Sequence, residues 1–278
     1  MDDELRYRGW RRPGPVPPGN IEVESGESLD LIAGNFRIFQ FEKGHRYSTD
    51  DVVTAWYGTI SAPRVERAAD LGSGIGSVAT IAAWRLPGAR FTTVEAQEIS
   101  FRLAQKSVRF NGLGSRFDMH LGDLRDFTPA ERFDLVLGSP PYFPPGTATE
   151  ADHPQAIPAR IEIRGTVADY AKTAARILAP GGVFAFVFPT LQLDRALSAV
   201  EQANLKLVRR RDVVFKEGEP PLITLFAASP AGDLPPTYQT WIEPPLTIRM
   251  RDGSISPEYS AVRLSIGFPP GNVGRDEG

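Results

Sequence analysis

Apolar and polar positions along the chain follow two periods that take turns. Residues 36–41 (FRIFQF) alternate as a half-buried strand does, and residues 51–59 repeat at helical spacing, with Thr49 or Asp50 placed to cap the start. Residues 65–71 read as a buried strand, 77–85 (SVATIAAWR) as a helix, 90–94 (RFTTV) as a second strand, and 98–110 as a second helix closed by Asn111 and Gly112. The rhythm continues through strands at 117–121 and 133–138, a helix at 166–178 stopped by Pro180, Gly181 and Gly182, and a continuously apolar strand at 183–188 (VFAFVF). A helix at 191–203 follows, then strand-like runs at 205–215 and 221–229 that suit a hairpin, a short strand-like piece at 246–249, and a turn or helix at 256–263. Strands and helices alternating at this pace imply an α/β fold, a doubly wound parallel sheet covered on both faces. Right-handed crossovers then bring the strands' carboxyl ends to one edge.

The chemistry gathers at that edge. Asp70-Leu71-Gly72-Ser73-Gly74-Ile75-Gly76 turns the first buried strand into a helix, and glycines there let the backbone turn tightly and meet a bulky ligand. Such turns serve dinucleotides, nucleoside phosphates and S-adenosylmethionine alike. The spacing is G-x-G-x-G rather than G-x-G-x-x-G, and no G-K-[ST] follows. Glu95 lies about 20 residues further on, where a βαβ unit sets an acid beside the ribose hydroxyls of a nucleotide. Asp123 ends the third strand, and the next strand delivers Ser139-Pro140-Pro141-Tyr142-Phe143.

Composition narrows the picture. The 278 residues are 41% apolar, enough for a full core, and 31 basic against 34 acidic residues give a net charge of −3, so nucleic acid could be held only by local patches. Two basic stretches qualify: Arg6, Arg8, Arg11 and Arg12 among prolines at the start, and Lys206, Arg209, Arg210, Arg211 and Lys216. Each also has a plainer reading, as a solvated tail and as a solvated strand face. With no cysteine the chain forms no disulfide and suits a reducing compartment; without an apolar leader core or a span of ~20 apolar residues it is expected to be cytoplasmic. Residues 144–165 form a long loop of the kind that serves as a binding lid, and His153 within it reads as a surface residue.

Together these motifs resemble the bacterial methyltransferases that modify the exocyclic amine of adenosine 37 in the anticodon loop of valine tRNA. The resemblance runs from about residue 35 to 268 and includes R-Y-S-T-D-D, D-L-G-S-G-I-G, V-E, G-D-L, S-P-P-Y-F, A-R-I-E, A-D-Y, L-A-P-G-G, L-T-I-R and S-P-E-Y. It implies a class I, Rossmann-like fold with a mostly parallel seven-stranded sheet and an N-terminal flap. The expected organisation is a loose extension over 1–34, the methyltransferase domain over 35–268, and a disordered tail over 269–278. It also implies S-adenosylmethionine as cofactor, S-adenosylhomocysteine as product and RNA, in particular tRNA, as partner. Asp70, Gly72, Gly74, Gly76, Glu95, Ala96, Asp123, Leu124 and Ser139 would hold the cofactor, with Asp123 on the adenine amine and Leu124 or Ala96 on the ring faces. Ser139, Pro140 and Tyr142 would carry catalysis by positioning, with no metal and no dedicated general base, and Tyr142 and Phe143 would stack on the acceptor base. The family usually has Asn where this chain has Ser139, a residue also found in enzymes acting on the cytosine amine of DNA. Other acceptors (ribosomal RNA, DNA, a protein glutamine) and a catalytically silent RNA-binding protein are the rival readings; a nicotinamide dehydrogenase leaves S-P-P-Y-F unexplained.

Overall fold

The computed structural model describes residues 6–7, 9–62, 64–144, 146, 155 and 161–272. Two short hairpins come first, β1 (Arg6–Tyr7) with β2 (Trp10–Arg11) and β3 (Glu27–Leu31) with β4 (Arg37–Phe41). Then follow α1 (Thr49–Ser61), β5 (Arg67–Leu71), α2 (Ser77–Arg85), β6 (Arg90–Glu95), α3 (Glu98–Phe110), β7 (Phe117–Leu121) and β8 (Phe133–Gly138). The second half contains α4 (Val167–Ile177), β9 (Leu178–Pro189), α5 (Leu193–Gln202), β10 (Leu205–Lys216), β11 (Ile223–Pro230), β12 (Trp241–Arg249) and α6 (Pro257–Ser265).

The main sheet has the order β12-β10-β11-β9-β8-β5-β6-β7, with β11 alone running against its neighbours. It has eight strands where seven were expected. The extra one, β12, pairs parallel to β10 at the sheet's edge and begins at Trp241, five residues before the apolar piece that announced it. Pro244 and Pro245 obscured the pattern; an edge strand tolerates them because one side needs no partner.

The core divides according to strand alternation. In β9, Val183, Ala185 and Val187 join the layer with α1, α2 and α3, while Phe184, Phe186 and Phe188 join the layer with α4 and α5. Phe184, Phe186 and Phe226 stack across β9 and β11 at 4.7 Å between centroids, and each fully buried ring contributes about 1.5–3 kcal/mol. Helix α1 lies directly on the sheet because Gly58 lacks a side chain; a Cβ there would come within 2.4 Å of Leu137 Cδ2. Its cap is Ser48, rather than Thr49 or Asp50: the hydroxyl accepts from Asp50 N, and Ser48 N donates to Asp51 Oδ2.

The expected domain boundary at residue 35 falls inside the β3–β4 hairpin. That hairpin packs on α3 through Phe39 N to Ser107 Oγ (2.9 Å) and Arg37 N to Asn111 Oδ1 (2.8 Å), and Ile32 and Ala33 are buried. Gly19 N bonds Phe110 O and Asn35 Nδ2 bonds Gly14 O, so the proline-rich stretch is fastened as well. At the other end, Pro269 O accepts from Arg263 Nε and Asn272 O from Ile255 N; residues 273–278 lie outside the described residues.

Candidate active site

The carboxyl ends of β5, β6 and β8 meet the amino end of α1 around a cavity of about 470 Å³. After β5 the backbone turns through Gly72 (φ +61°), Gly74 (φ +56°) and Gly76 (φ +81°), a left-handed series that side chains rarely permit. The glycines have separate tasks. Gly72 makes room for Tyr170 of α4, whose hydroxyl would lie 1.9 Å from an added Cβ, whereas Gly74 faces open space. Gly76 caps α2 and packs on Ala104, so it shapes the turn without lining the cavity.

Buried acids dominate the wall. Asp70 is 1% exposed, accepts one hydrogen bond from Ala79 N at 3.2 Å, and has its pKa pushed up to about 8 by burial, with Asp51 and Glu95 adding repulsion. Glu95 Oε2 accepts from Gly74 N (2.8 Å) and Oε1 from Gln97 N (2.6 Å); burial raises its pKa too. Each oxygen keeps a lone pair for a further donor. Asp50 and Asp51 enter from α1. Asp51 Oδ1 accepts from Ser77 Oγ at 2.7 Å, which ties α1 to α2 beside the glycine turn.

Beyond β8, Ser139, Pro140, Pro141, Tyr142 and Phe143 form the opposite wall. Tyr142 Oη donates to Asp50 Oδ2 at 2.7 Å, and the Ser139 hydroxyl faces the same phenol oxygen. Burial raises the pKa of Asp50 and that of Tyr142 alike. The Tyr142 ring stands edge-on to Phe188 at 5.9 Å, and its carbonyl accepts from Gln192 Nε2 at 2.8 Å. Phe143 is 40% exposed at the cavity's mouth and makes a bridge with Ile161. Of the long loop, Gln155 is held by Ser100 and His45 N, Arg164 reaches the cavity, and His153 and Arg160 lie outside the described residues.

Asp70, Gly72, Gly74, Glu95, Ala96, Leu124, Ser139, Pro140, Tyr142 and Phe143 therefore share one cavity, as their strand-end positions led one to expect. Asp123 does not line it. Arg125, two residues on, takes both of its carboxylate oxygens, at 2.9 and 2.5 Å. Asp50, Asp51 and Tyr170 belong to the wall, although the sequence marked Asp50 only as a helix cap and the other two only through the motifs R-Y-S-T-D-D and A-D-Y.

Two arginines of the basic run on β10 are engaged within the fold. Arg209 makes a bidentate pair with Glu243, at 2.8 and 2.6 Å, between the rings of Tyr57 and Trp241, and Arg211 pairs with Glu258. At the amino terminus, Arg8 and the side chain of Arg6 lie outside the described residues.

A family model described as the methyltransferase small domain matches residues 49–204, from the first turn of α1 to just past α5. The chain belongs to that methyltransferase family. Its cavity lies almost wholly within the matched span. The tRNA1(Val) (adenine(37)-N6)-methyltransferase of Porphyromonas gingivalis is 30% identical over 249 residues, 84% of this chain and 92% of that protein, so the resemblance seen in the motifs extends across the fold. A 4-amino-L-phenylalanine/4-methylamino-L-phenylalanine methyltransferase of Streptomyces pristinaespiralis is 37% identical over 132 residues; the chain spans only 44% of it. A predicted O-methyltransferase of Agrobacterium tumefaciens, 19% identical, superposes with a TM-score of 0.61 over 79% of this chain and 97% of its own, which concerns the class I fold alone.

Proposed function

We propose that this methyltransferase uses S-adenosylmethionine to methylate the exocyclic amine of an adenine in a tRNA anticodon loop. The observation that carries this reading is the joining, in one cavity, of the glycine turn with its buried acids and the S-P-P-Y-F segment. The relatives support the acceptor: in both, by their names, the nitrogen methylated is an amine on an aromatic ring.

The residues fit the cofactor. A wall containing Asp50, Asp51, Asp70 and Glu95 complements a cation, and the open space over Gly74 lets a ligand reach main chain. S-adenosylmethionine, when bound, supplies an electrophilic methyl group on a sulfonium. Glu95 has acceptor capacity for two ribose hydroxyls, Asp70 supplies negative charge once it has lost its proton, and Ala96 and Leu124 supply apolar surface for a ring. Asp123, held by Arg125 and outside the cavity lining, has only the remaining lone pair of Oδ2 to offer an adenine amine at the cavity's edge.

An aromatic amine is a poor nucleophile because its lone pair is shared with the ring. Ser139 Oγ and the Pro140 carbonyl accept hydrogen bonds from the two amine hydrogens and so favour a pyramidal nitrogen. Consecutive prolines restrict the backbone and keep that carbonyl in place. Tyr142 is fixed by Asp50, so its ring forms a rigid wall, and Phe143 at the mouth is the freer stacking surface. Base–aromatic stacking there is worth about 1–3 kcal/mol. A base buried in a duplex cannot enter such a cavity; an unpaired loop base can.

The test uses two unmodified anticodon stem-loop transcripts, one with the target adenosine and one with guanosine in its place. Transfer to the first alone, recovered as N6-methyladenosine, supports the reading. Equal transfer to both overturns it.

A further inference from the structure

A second pocket, of about 400 Å³, opens next to the first and shares Arg46 and Ser48 with it. Its walls are Tyr47, Tyr259 and Phe268, with Asp30, Arg46 and Arg263 as the charged groups. It brings together R-Y-S-T at the entry to α1, of which only Arg46 and Ser48 also line the first cavity, and S-P-E-Y at the start of α6, which the methyl-transfer site leaves unused, and most of its lining falls outside residues 49–204. The pocket is therefore built mainly by the parts that flank the family model's matched span.

Its charges do not cancel. Arg46 is committed to Asp30 at 2.8 Å, with Ser28 and Phe41 O taking its other donor; against the opposing effect of burial, hydrogen bonds from Ser28 and Gln40, with Arg46 beside them, hold the Asp30 carboxyl below its ordinary range. Arg263 bonds Pro269 O through Nε, and its guanidinium lies 5.7 Å from the Phe268 ring centroid and 5.9 Å from that of Tyr259. Among the described residues no carboxylate lies within ion-pair distance of it. One surplus cation, braced on aromatic faces, thus stands beside Tyr47, whose hydroxyl is anchored on Leu31 O and whose ring is 6.5 Å from Phe268. A phosphate needs the donors of such a cation, a nucleobase needs the ring face, and the volume falls in the range of about 300–1,000 Å³ typical of ligand sites.

We infer that this pocket holds a nucleotide of the RNA next to the acceptor, its phosphate on Arg263 and its base against Tyr47, while the acceptor base occupies the first cavity. The inference rests on the RNA reading above. It makes the shared wall, Arg46 and Ser48, the divider between two successive nucleotides.

The test measures binding of the unmodified anticodon stem-loop to the full chain over a range of salt, for the wild type, Arg263→Gln and Arg263→Lys. Arg263→Gln should bind about 10-fold more weakly and lower the slope of log affinity against log salt by about 0.7, the share of one single-strand phosphate. Arg263→Lys should keep the slope, and S-adenosylmethionine affinity should be unchanged in both. An Arg263→Gln protein with wild-type affinity and slope overturns the inference, even though the wild type methylates that RNA. A wild type that methylates no RNA overturns the acceptor reading and the inference with it. Should Arg263→Gln not fold, RNA carrying 4-thiouridine beside the acceptor is crosslinked to the wild type: crosslinks at residues 46–49 or 259–268 support the pocket, and crosslinks confined elsewhere overturn it.

Discussion

Cofactor affinity should rise about tenfold per pH unit up to about pH 8 and then level off, because Asp70 has to lose a proton before it can face a cation. The carboxyl is 1% exposed and keeps a single backbone donor, Ala79 N, so burial prevails and lifts its pKa to about 8. In the free protein at about pH 6 it is therefore protonated. A cationic ligand favours the ionised form, and displacing the proton two units below the pKa costs about 2.7 kcal/mol, close to 100-fold in affinity. The sign for stability is opposite. The unfolded carboxyl titrates near 3.9, so between about pH 4 and pH 8 the unfolded chain binds fewer protons and the free protein loses stability as pH rises. Calorimetry in two buffers of different ionisation enthalpy reads this directly: close to one proton released per cofactor bound at about pH 6, and close to none at about pH 9. Asp70→Asn should bind weakly with no such pH dependence. Wild-type affinity that is flat across this range, with no proton release, would refute the reasoning.

Three further outcomes are expected. Ser139→Ala should lower turnover about 100-fold, as loss of an aligned hydrogen-bonding group does, with cofactor affinity within about twofold by titration; a large loss of cofactor affinity would reassign Ser139. Gly72→Ala combines a left-handed backbone with a Cβ 1.9 Å from the Tyr170 hydroxyl, so denaturant melts should show at least about 2 kcal/mol of destabilisation and cofactor binding should fail. Arg209→Ala strands Glu243 beside Tyr57 and should cost about 3 kcal/mol in stability while leaving the salt dependence of RNA binding unchanged, since Arg209 serves the sheet and not a phosphate.

The sequence was most informative where periodicity and strand order determine geometry. The run 183–188 announced a strand buried on both faces, and β9 shows it, with valines and phenylalanines parted between two core layers. Asp70, Glu95 and Ser139 meet because parallel strands end on one edge. What stayed hidden depends on contacts between distant residues or on side-chain competition. Asp50 looked like a capping residue, and its bond to Tyr142, 92 positions away, has no local signal. Asp123 followed the right strand, but its neighbour Arg125 claims both its oxygens. Residues 27–31 are polar enough to pass for a tail, and become a strand only by pairing with β4 against α3. Tyr170 sits on an ordinary helical face, and only the left-handed turn at Gly72 shows why its hydroxyl reaches the cavity.

The most direct measurement incubates the purified protein with methyl-labelled S-adenosylmethionine and, separately, with unmodified total tRNA, ribosomal RNA, DNA, cell protein and 4-amino-L-phenylalanine, then identifies the labelled product. The account predicts label in tRNA, released on digestion as N6-methyladenosine. Label in the free aromatic amine or another pool but not in tRNA would contradict the acceptor, and no label in any pool despite cofactor binding would contradict the claim of methyl transfer itself.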